Sequence, residues 1–135
     1  MNSPKLNSRS SLFLLLGSIF AGIAVAAGAF GAHFLKGLLD PSMLAAFETA
    51  GRYQMYHALG LCIVSWVIER YPNRRFSTVG WLFTAGILLF SGSLYGLSLA
   101  GLRWLGPVTP LGGAAFITGW GIFAWELWRS RRVGD

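Results

Sequence analysis

Long uncharged windows alternate with short charged segments along the chain. Asp, Glu, Lys and Arg are missing from residues 10–35, 53–68, 76–102 and 104–125, which are 26, 16, 27 and 22 residues long. A helix needs about 20 apolar residues to cross a bilayer, and runs without period-2 alternation do not suit a barrel. The pattern predicts an all-α, polytopic membrane protein: a single domain, 1–135, built as a four-transmembrane-helix bundle, with spans at about 11–34, 50–69, 77–100 and 108–128.

The second window is shorter than a full span. It reaches the required length only if its helix extends back through Arg52, which together with Glu48 would then lie near one membrane interface. Asp40 followed by Pro41 is typical of the start of a helix. The other expected boundaries are Pro72 and Asn73 at the end of that helix, Ser77 as the N-cap of the third, and Gly106, Pro107 and Pro110 before the fourth.

The composition agrees with a chain that is partly solvated by lipid. Hydrophobic residues make up 54% of the sequence and charged residues 12%, whereas soluble domains carry about 25% charged residues. A water-soluble domain of this size could not bury so much apolar surface. The single cysteine, Cys62, excludes a disulfide framework and a zinc-thiolate site, and we expect it in the core.

Basic residues predict the orientation of the chain. Eight of the 11 Lys and Arg residues lie in the N-terminal segment, the connection between spans 2 and 3, and the C-terminal segment: Lys5, Arg9, Arg70, Arg74, Arg75, Arg129, Arg131 and Arg132. The positive-inside rule then predicts an inner (plasma) membrane protein with both termini in the cytoplasm. The net charge of +6 is explained by topology and contact with the lipid bilayer, so we expect no nucleic-acid partner.

The N-terminal segment also has features of a secretory signal. Lys5 and Arg9 precede an apolar run in which Ala24-Val25-Ala26 matches a small-residue cleavage site. The apolar run continues to Leu35 and is long enough to span, which favours an uncleaved helix.

Polar side chains collect in the half of the spans that faces the predicted outer side. An ionisable residue within a span indicates a functional site by default. Glu48 and Arg52 have the favourable i,i+4 order on one helix, and Tyr53 and His57 have the same spacing. The candidate cluster comprises His33, Glu48, Arg52, Tyr53, Gln54, His57, Ser91, Ser93, Tyr95 and Thr109.

Three roles are open for this cluster. Its side chains could hold the helices together, could bind a small ligand, a proton or an ion, or could ligate a metal through His33, His57 and Glu48. The spacing matches no metal signature such as H-E-x-x-H, and no catalytic constellation is visible. We therefore expect no enzyme activity, no cofactor and no metal.

Glycine and alanine recur at four-residue spacing in the spans. Small residues let helix backbones approach closely in lipid, where apolar burial does not drive association. The pattern predicts tight packing, either within the chain or against another one. The candidate packing positions are Gly28, Gly31, Gly92, Gly96, Gly113 and Gly119.

Four ordered motifs carry a family resemblance. They are GAFGAHFLK at 28–36, FETAGRYQMYHALGL at 47–61, GILLFSGSLYGLSL at 86–99 and LGPVTPLGGAAFITGW at 105–120. Together they resemble the bacterial domain-of-unknown-function family 423, which is similar to the eukaryotic transmembrane protein 256 family. The resemblance singles out Gly28, Gly31, His33, Tyr53, Gln54, His57, Ser91, Gly92, Ser93, Tyr95, Thr109, Pro110 and Gly113.

The resemblance implies a four-span membrane protein without an established activity. Two functions from different classes follow as expectations. The first is an accessory or structural subunit that packs on other membrane-protein subunits, or on copies of itself, through its small-residue faces. The second is a small transporter, channel or ligand-binding protein that uses the polar cluster around Arg52, His57 and Tyr95.

Overall fold

A computed structural model describes residues 7–72 and 75–132 of the protein. Lys5, Asn73 and Arg74, on which the orientation and one boundary prediction partly depend, lie outside these ranges. The described ranges are helical and contain no strand, which confirms the all-α class. Their four long helices are α1 (Ser8–His33), α2 (Pro41–Arg70), α3 (Phe76–Ala100) and α4 (Thr109–Arg132). Short 3-10 turns at Leu35–Gly37 and Arg103–Val108 lie in the first and third connections.

The start of α2 is fixed by its own sequence. The Asp40 side chain accepts hydrogen bonds from the backbone N–H groups of Ser42 and Met43, at 2.9 and 3.1 Å, and Pro41 is the first helical residue. The predicted start at Asp40 and Pro41 is therefore confirmed. A further hydrogen bond from the Ser42 hydroxyl, with those backbone bonds, holds the pKa of Asp40 below its usual value.

The prediction for the start of α3 is wrong. Ser77 is not the N-cap: the helix begins one residue earlier, at Phe76, and Arg75 precedes it without a side-chain cap. Phe76 is fully buried and packs against the rings of Tyr71 and Phe123. Burial of this ring decides where the helix enters the core, and it outweighs the local capping preference.

A π-helical segment interrupts α3 at Ile87–Ser91. Such segments are rare and insert one residue into the helical repeat, which rotates the side chains that follow. Here the segment ends at Ser91, which is buried against α2. The uniform apolar sequence of this window gave no sign of the change.

The helices pack mainly as neighbours in chain order. α1 lies along α2, and α3 contacts both α2 and α4, while the described parts of α1 and α4 share no extensive contact. The core is formed by large apolar side chains from every helix, among them Phe13, Leu61, Val64, Phe83 and Phe116.

Within residues 7–72 and 75–132, three helical stretches are long and apolar enough to cross a membrane: Ser8–His33, Phe76–Ala100 and Arg103–Arg132. α2 is 30 residues long but carries charged residues such as Glu48 and Arg52 and buried polar ones such as Gln54 and His57. Gln54 and His57 are enclosed by the other helices, whereas Glu48 and Arg52 are exposed.

Candidate functional site

His57 lies at the centre of the α2–α3–α4 contact. Its Nδ1 is 2.8 Å from the carbonyl oxygen of Tyr53, one turn earlier, and the indole N–H of Trp120 donates to its Nε2 at 3.1 Å. The indole can only donate, so Nε2 must accept and Nδ1 must carry the proton that is donated to Tyr53. Both ring nitrogens of a neutral His57 are thus engaged within the chain.

Aromatic rings enclose the same imidazole. The ring of Phe116 stacks on it with a centroid separation of 3.4 Å and an interplanar angle of 8°, and Phe83 meets it edge-on at 5.1 Å. His57 is 4% exposed. A side chain in this position is suited to holding α2 and α4 together, because both of its nitrogens are already bonded and neither is left to bind a metal, a proton or a ligand.

Four other members of the predicted cluster also tie helices together. The Gln54 amide donates to the carbonyl of Phe20 on α1 at 2.8 Å, and the Ser91 hydroxyl donates to the carbonyl of Ala50 on α2 at 2.8 Å. The hydroxyls of Ser93 and Thr109 lie 2.7 Å apart and join α3 to α4. Each of these bonds satisfies a polar group that would be costly to leave unpaired in an apolar interior.

The charged members lie elsewhere. His33, Glu48 and Arg52 are exposed, and no ion pair joins Glu48 to Arg52 within the part of the chain that the structure describes. The structure therefore does not bring His33 or Glu48 to His57. Across the described ranges no group of three His, Cys, Asp or Glu side chains is placed to hold a metal ion.

Tyr53 and Tyr95 complete the predicted set. Tyr53 is exposed beside Phe90, with a centroid separation of 4.9 Å. The Tyr95 ring packs edge-on against Phe47 at 5.1 Å, and its hydroxyl is buried without a hydrogen-bond partner in the described structure. Almost all buried polar groups in proteins are hydrogen-bonded, so this hydroxyl is unusual.

The glycines predicted to pack helices fall into two groups. A Cβ atom added at Gly31 would lie 3.0 Å from the ring of Phe47, and one at Gly119 would lie 2.7 Å from the ring of Phe83. A Cβ at Gly96 would lie even closer to the Leu105 side chain. At Gly113 it would be in ordinary van der Waals contact with the Phe90 ring. At Gly28 and Gly92 a Cβ would meet nothing within 4 Å. These two positions do not pack within the described chain, and a role for them stays a prediction about another molecule.

Sequence reasoning missed the partners of the glycines. Large aromatic rings, and not other small residues, fill most of these spaces: Phe13 lies over Gly80, Phe83 over Gly60 and Phe116 over Gly86. At Gly112 the neighbour is the backbone of Phe90. The signal in the sequence was the abundance of phenylalanine, with 10 Phe beside 18 Gly. A search for small residues at four-residue spacing does not use that signal.

Two buried polar contacts at the other end of the helices, away from the predicted cluster, were also not predicted from the sequence. Ser10 and Ser65 join α1 to α2 through their hydroxyls, 2.9 Å apart, and the Ser65 hydroxyl also donates to the Ser10 carbonyl at 2.8 Å. Glu126 on α4 is buried and lies 3.9 Å from the Arg129 guanidinium. A serine inside an apolar window is the only sequence sign of the first contact.

Comparisons of the sequence with a family profile and with individual proteins identify the same family. A family profile described as "Protein of unknown function (DUF423)" matches residues 27–113. The UPF0382 membrane protein YwdK of Bacillus subtilis (strain 168) is 48% identical over 110 residues, covering 81% of this chain and 89% of the relative. A UPF0382 membrane protein of Staphylococcus haemolyticus (strain JCSC1435) is 46% identical over 109 residues, covering 81% and 88%. No solved structure matches the chain. With a family profile over most of its length and relatives that are called membrane proteins, the chain belongs to the DUF423 family of proteins of unknown function.

Proposed function

We propose that this protein is a four-span membrane protein that acts as an accessory or structural subunit, or assembly partner, of a membrane complex, without catalytic chemistry of its own. The observation that carries the proposal is how the polar side chains of the predicted cluster are used. His57, Gln54, Ser91 and Ser93 all bond to neighbouring helices of the same chain. They hold a scaffold together, and their hydrogen-bonding groups are engaged within it.

The course of α2 supports a fourth span. Ser65 pairs with Ser10 at one end of α1, and Phe47 covers Gly31 at the other. Residues 47–65 of α2 therefore run antiparallel along residues 10–31 of α1. A paired stretch of about 20 residues is close to the length of a span, which favours α2 as a fourth one. An even number of spans puts both termini on one side, and the distribution of basic residues favours the cytoplasm in an inner membrane.

Outward-facing glycines support a partner in the membrane. Besides Gly28 and Gly92, Gly22 on α1 and Gly121 on α4 have no described neighbour within 4 Å of a Cβ position. Glycine in a helix that faces only lipid has no packing advantage, whereas it allows another helix to approach closely. The partner is either another membrane-protein subunit or a second copy of this chain.

Purification from native membranes tests this proposal. In mild detergent we expect the protein to migrate well above its own 14.7 kDa, together with other chains that mass spectrometry identifies. Gly22→Leu, Gly92→Leu and Gly121→Leu each add a side chain where the protein has open space, so folding should not change. Loss of the co-purifying chain in one of them identifies the contacting helix, and recovery of the unmodified protein only as a lone monomer contradicts the proposal.

A transporter or channel through the cluster is the weaker candidate, because His57 is enclosed by Phe116 and Phe83 and bonded at both nitrogens. Flux measurements in proteoliposomes separate the two. We expect that replacing His57 changes ion flux only as far as it changes the amount of folded protein. A flux that His57→Gln abolishes in a folded protein would favour transport.

A further inference from the structure

A groove of about 360 Å³ lies between α1 and α2, at the end where α1 finishes and α2 begins. On α1 it is lined by Ala24, Ala27 and Gly28, whose small side chains leave the space open. This volume is within the range of small-ligand sites in proteins. The groove is separate from the His57 contact, which lies between α2 and α4.

The α2 side of the groove carries one acid and one base. Glu48 and Arg52 both line it, and they occupy adjacent turns of the same helix face. Within the described structure they form no ion pair with each other, and both are exposed. Two opposite charges held side by side in a groove of small apolar residues are complementary to a ligand that carries both charges.

In the proposed four-span topology, on which this inference rests, the groove lies close to the lipid headgroups. Gly28 lines it five residues before α1 ends at His33, which corresponds to about 7 Å along the helix. Charged side chains near the end of a span are positioned to meet lipid headgroups. A second, apolar depression, lined by Ile23, Phe30 and Leu99 among others, shares Ala27 and Phe47 with the groove and has the character of an acyl-chain contact.

The buried hydroxyl of Tyr95 lies close to the groove but is not part of it. It lies 3.5 Å from the point where a Cβ of Gly51 would stand, and Gly51 lines the groove. The hydroxyl has no hydrogen-bond partner within the described chain. Tyr95 itself lines the neighbouring apolar depression and not the groove, and its hydroxyl is enclosed by the chain, so a ligand in the groove does not contact it.

We propose that this groove binds a phosphatidylethanolamine-type phospholipid. The Arg52 guanidinium binds the phosphate through charge-assisted hydrogen bonds, and the Glu48 carboxylate accepts hydrogen bonds from the ammonium group. The short carbon unit between phosphate and ammonium suits side chains on adjacent turns of α2. An anionic glycerol headgroup leaves Glu48 without a cation, and a choline headgroup has no N–H to donate.

The test uses the full chain in vesicles that contain equal amounts of phosphatidylethanolamine, phosphatidylcholine and phosphatidylglycerol. After extraction in mild detergent, native mass spectrometry counts the lipids of each class that remain bound. We expect one phosphatidylethanolamine per chain. Arg52→Gln and Glu48→Gln each remove a charge-assisted hydrogen bond and should lower its retention about tenfold, and Gly28→Leu should do the same by filling the groove.

Matched variants separate the groove from general effects. Lys36→Gln removes a charge near the same end of the protein, and Gly22→Leu adds a side chain on α1 at another open position; neither residue lines the groove. Both should retain the lipid as the unmodified chain does, and all variants should keep its unfolding temperature. Equal retention in Gly28→Leu and Gly22→Leu would overturn the proposal. Retention of phosphatidylglycerol or phosphatidylcholine as tight as that of phosphatidylethanolamine would also overturn it. The same holds if a polypeptide, and not a lipid, is found bound to the groove. Partner chains are tested separately, so a failure here leaves the accessory role unaffected.

Discussion

His57 and Arg52 lie five residues apart on α2, yet their surroundings are opposite. His57 is buried, stacked on Phe116 and hydrogen-bonded through both ring nitrogens to groups of the same chain. Arg52 is exposed in a groove of small residues and forms no ion pair with Glu48, within the described structure. Of these two residues, only Arg52 presents its hydrogen-bonding groups to another molecule.

Glycine produces both surroundings. Around His57, glycines such as Gly60 and Gly119 are covered by the ring of Phe83, so the helices approach closely and exclude other molecules. Beside Arg52, Gly28 has no ring above it and the same lack of a side chain leaves a groove. Whether a glycine closes or opens a contact depends on whether a neighbouring helix supplies a large side chain.

Replacing His57 should have the largest effect on stability. His57→Ala removes the ring that stacks on Phe116 and leaves the indole N–H of Trp120 without its acceptor. We expect a loss of about 3 kcal/mol in the free energy of unfolding, from the cavity and the unpaired donor together. Denaturation in detergent monitored by tryptophan fluorescence measures it. His33→Ala is the control, because His33 is exposed, and an equal effect of the two substitutions would contradict the contrast.

A methyl group at Gly112 should have the next largest effect. A Cβ there would collide with the backbone nitrogen of Phe90, which cannot move without shifting α3. We expect Gly112→Ala to destabilise the protein by about 2 kcal/mol. Gly28→Ala, in the open groove, should be neutral or slightly stabilising, because alanine favours a helix. Thermal unfolding curves compare the stability of the two variants directly. Similar curves would contradict the close approach of α3 and α4.

Loss of the Ser10–Ser65 contact should cost less. Ser65→Ala removes hydrogen bonds to both the hydroxyl and the carbonyl of Ser10. Hydrogen bonds between membrane helices contribute about 0.6–1.7 kcal/mol, and we expect a change in that range. Ser18→Ala is the control, since the exposed Ser18 hydroxyl donates to Leu14 in its own helix. A double-mutant cycle with Ser10→Ala that gives no coupling energy would contradict the contact.

Tyr95→Phe should have the smallest effect on stability and no effect on the groove. The hydroxyl has no partner in the described chain, so its removal should change the free energy of unfolding by less than about 0.5 kcal/mol. Retention of phosphatidylethanolamine should not change, because Tyr95 does not line the groove. Unfolding and lipid retention measured on the same sample check both. A stability loss of the size expected for His57→Ala would show that this hydroxyl is paired after all.

Much of the fold follows from the pattern of charges and apolar runs. The uncharged windows predicted the helices, and Asp40 with Pro41 predicted the start of α2, because capping is decided by a few neighbouring atoms. Ser77 failed as a predicted N-cap because the burial of Phe76 depends on residues distant in the chain. The π segment at Ile87–Ser91 was not predictable for the same reason.

The candidate site was predicted as a set of residues but not as an arrangement. Helical spacing put Glu48 and Arg52 on one face of α2, and in the structure both line the groove. Helical spacing could not show that His57 lies in a different environment from Glu48 and Arg52. Which face of α2 contacts which helix depends on how all four helices pack. The spacing also gave no hint that Trp120, 63 residues away, supplies the hydrogen bond to His57.

The helical class, the positions of the long helices and the family could all be obtained from the sequence, because these depend on local composition and on motifs that can be compared directly. Only the packed bundle shows which polar groups are hydrogen-bonded within the chain and which are not. Helices bring together residues from distant segments, and the free energy of a polar group depends on the partner it finds there. His57 finds Trp120, whereas the Tyr95 hydroxyl finds no partner in the described chain and the Arg52 side chain lines an open groove.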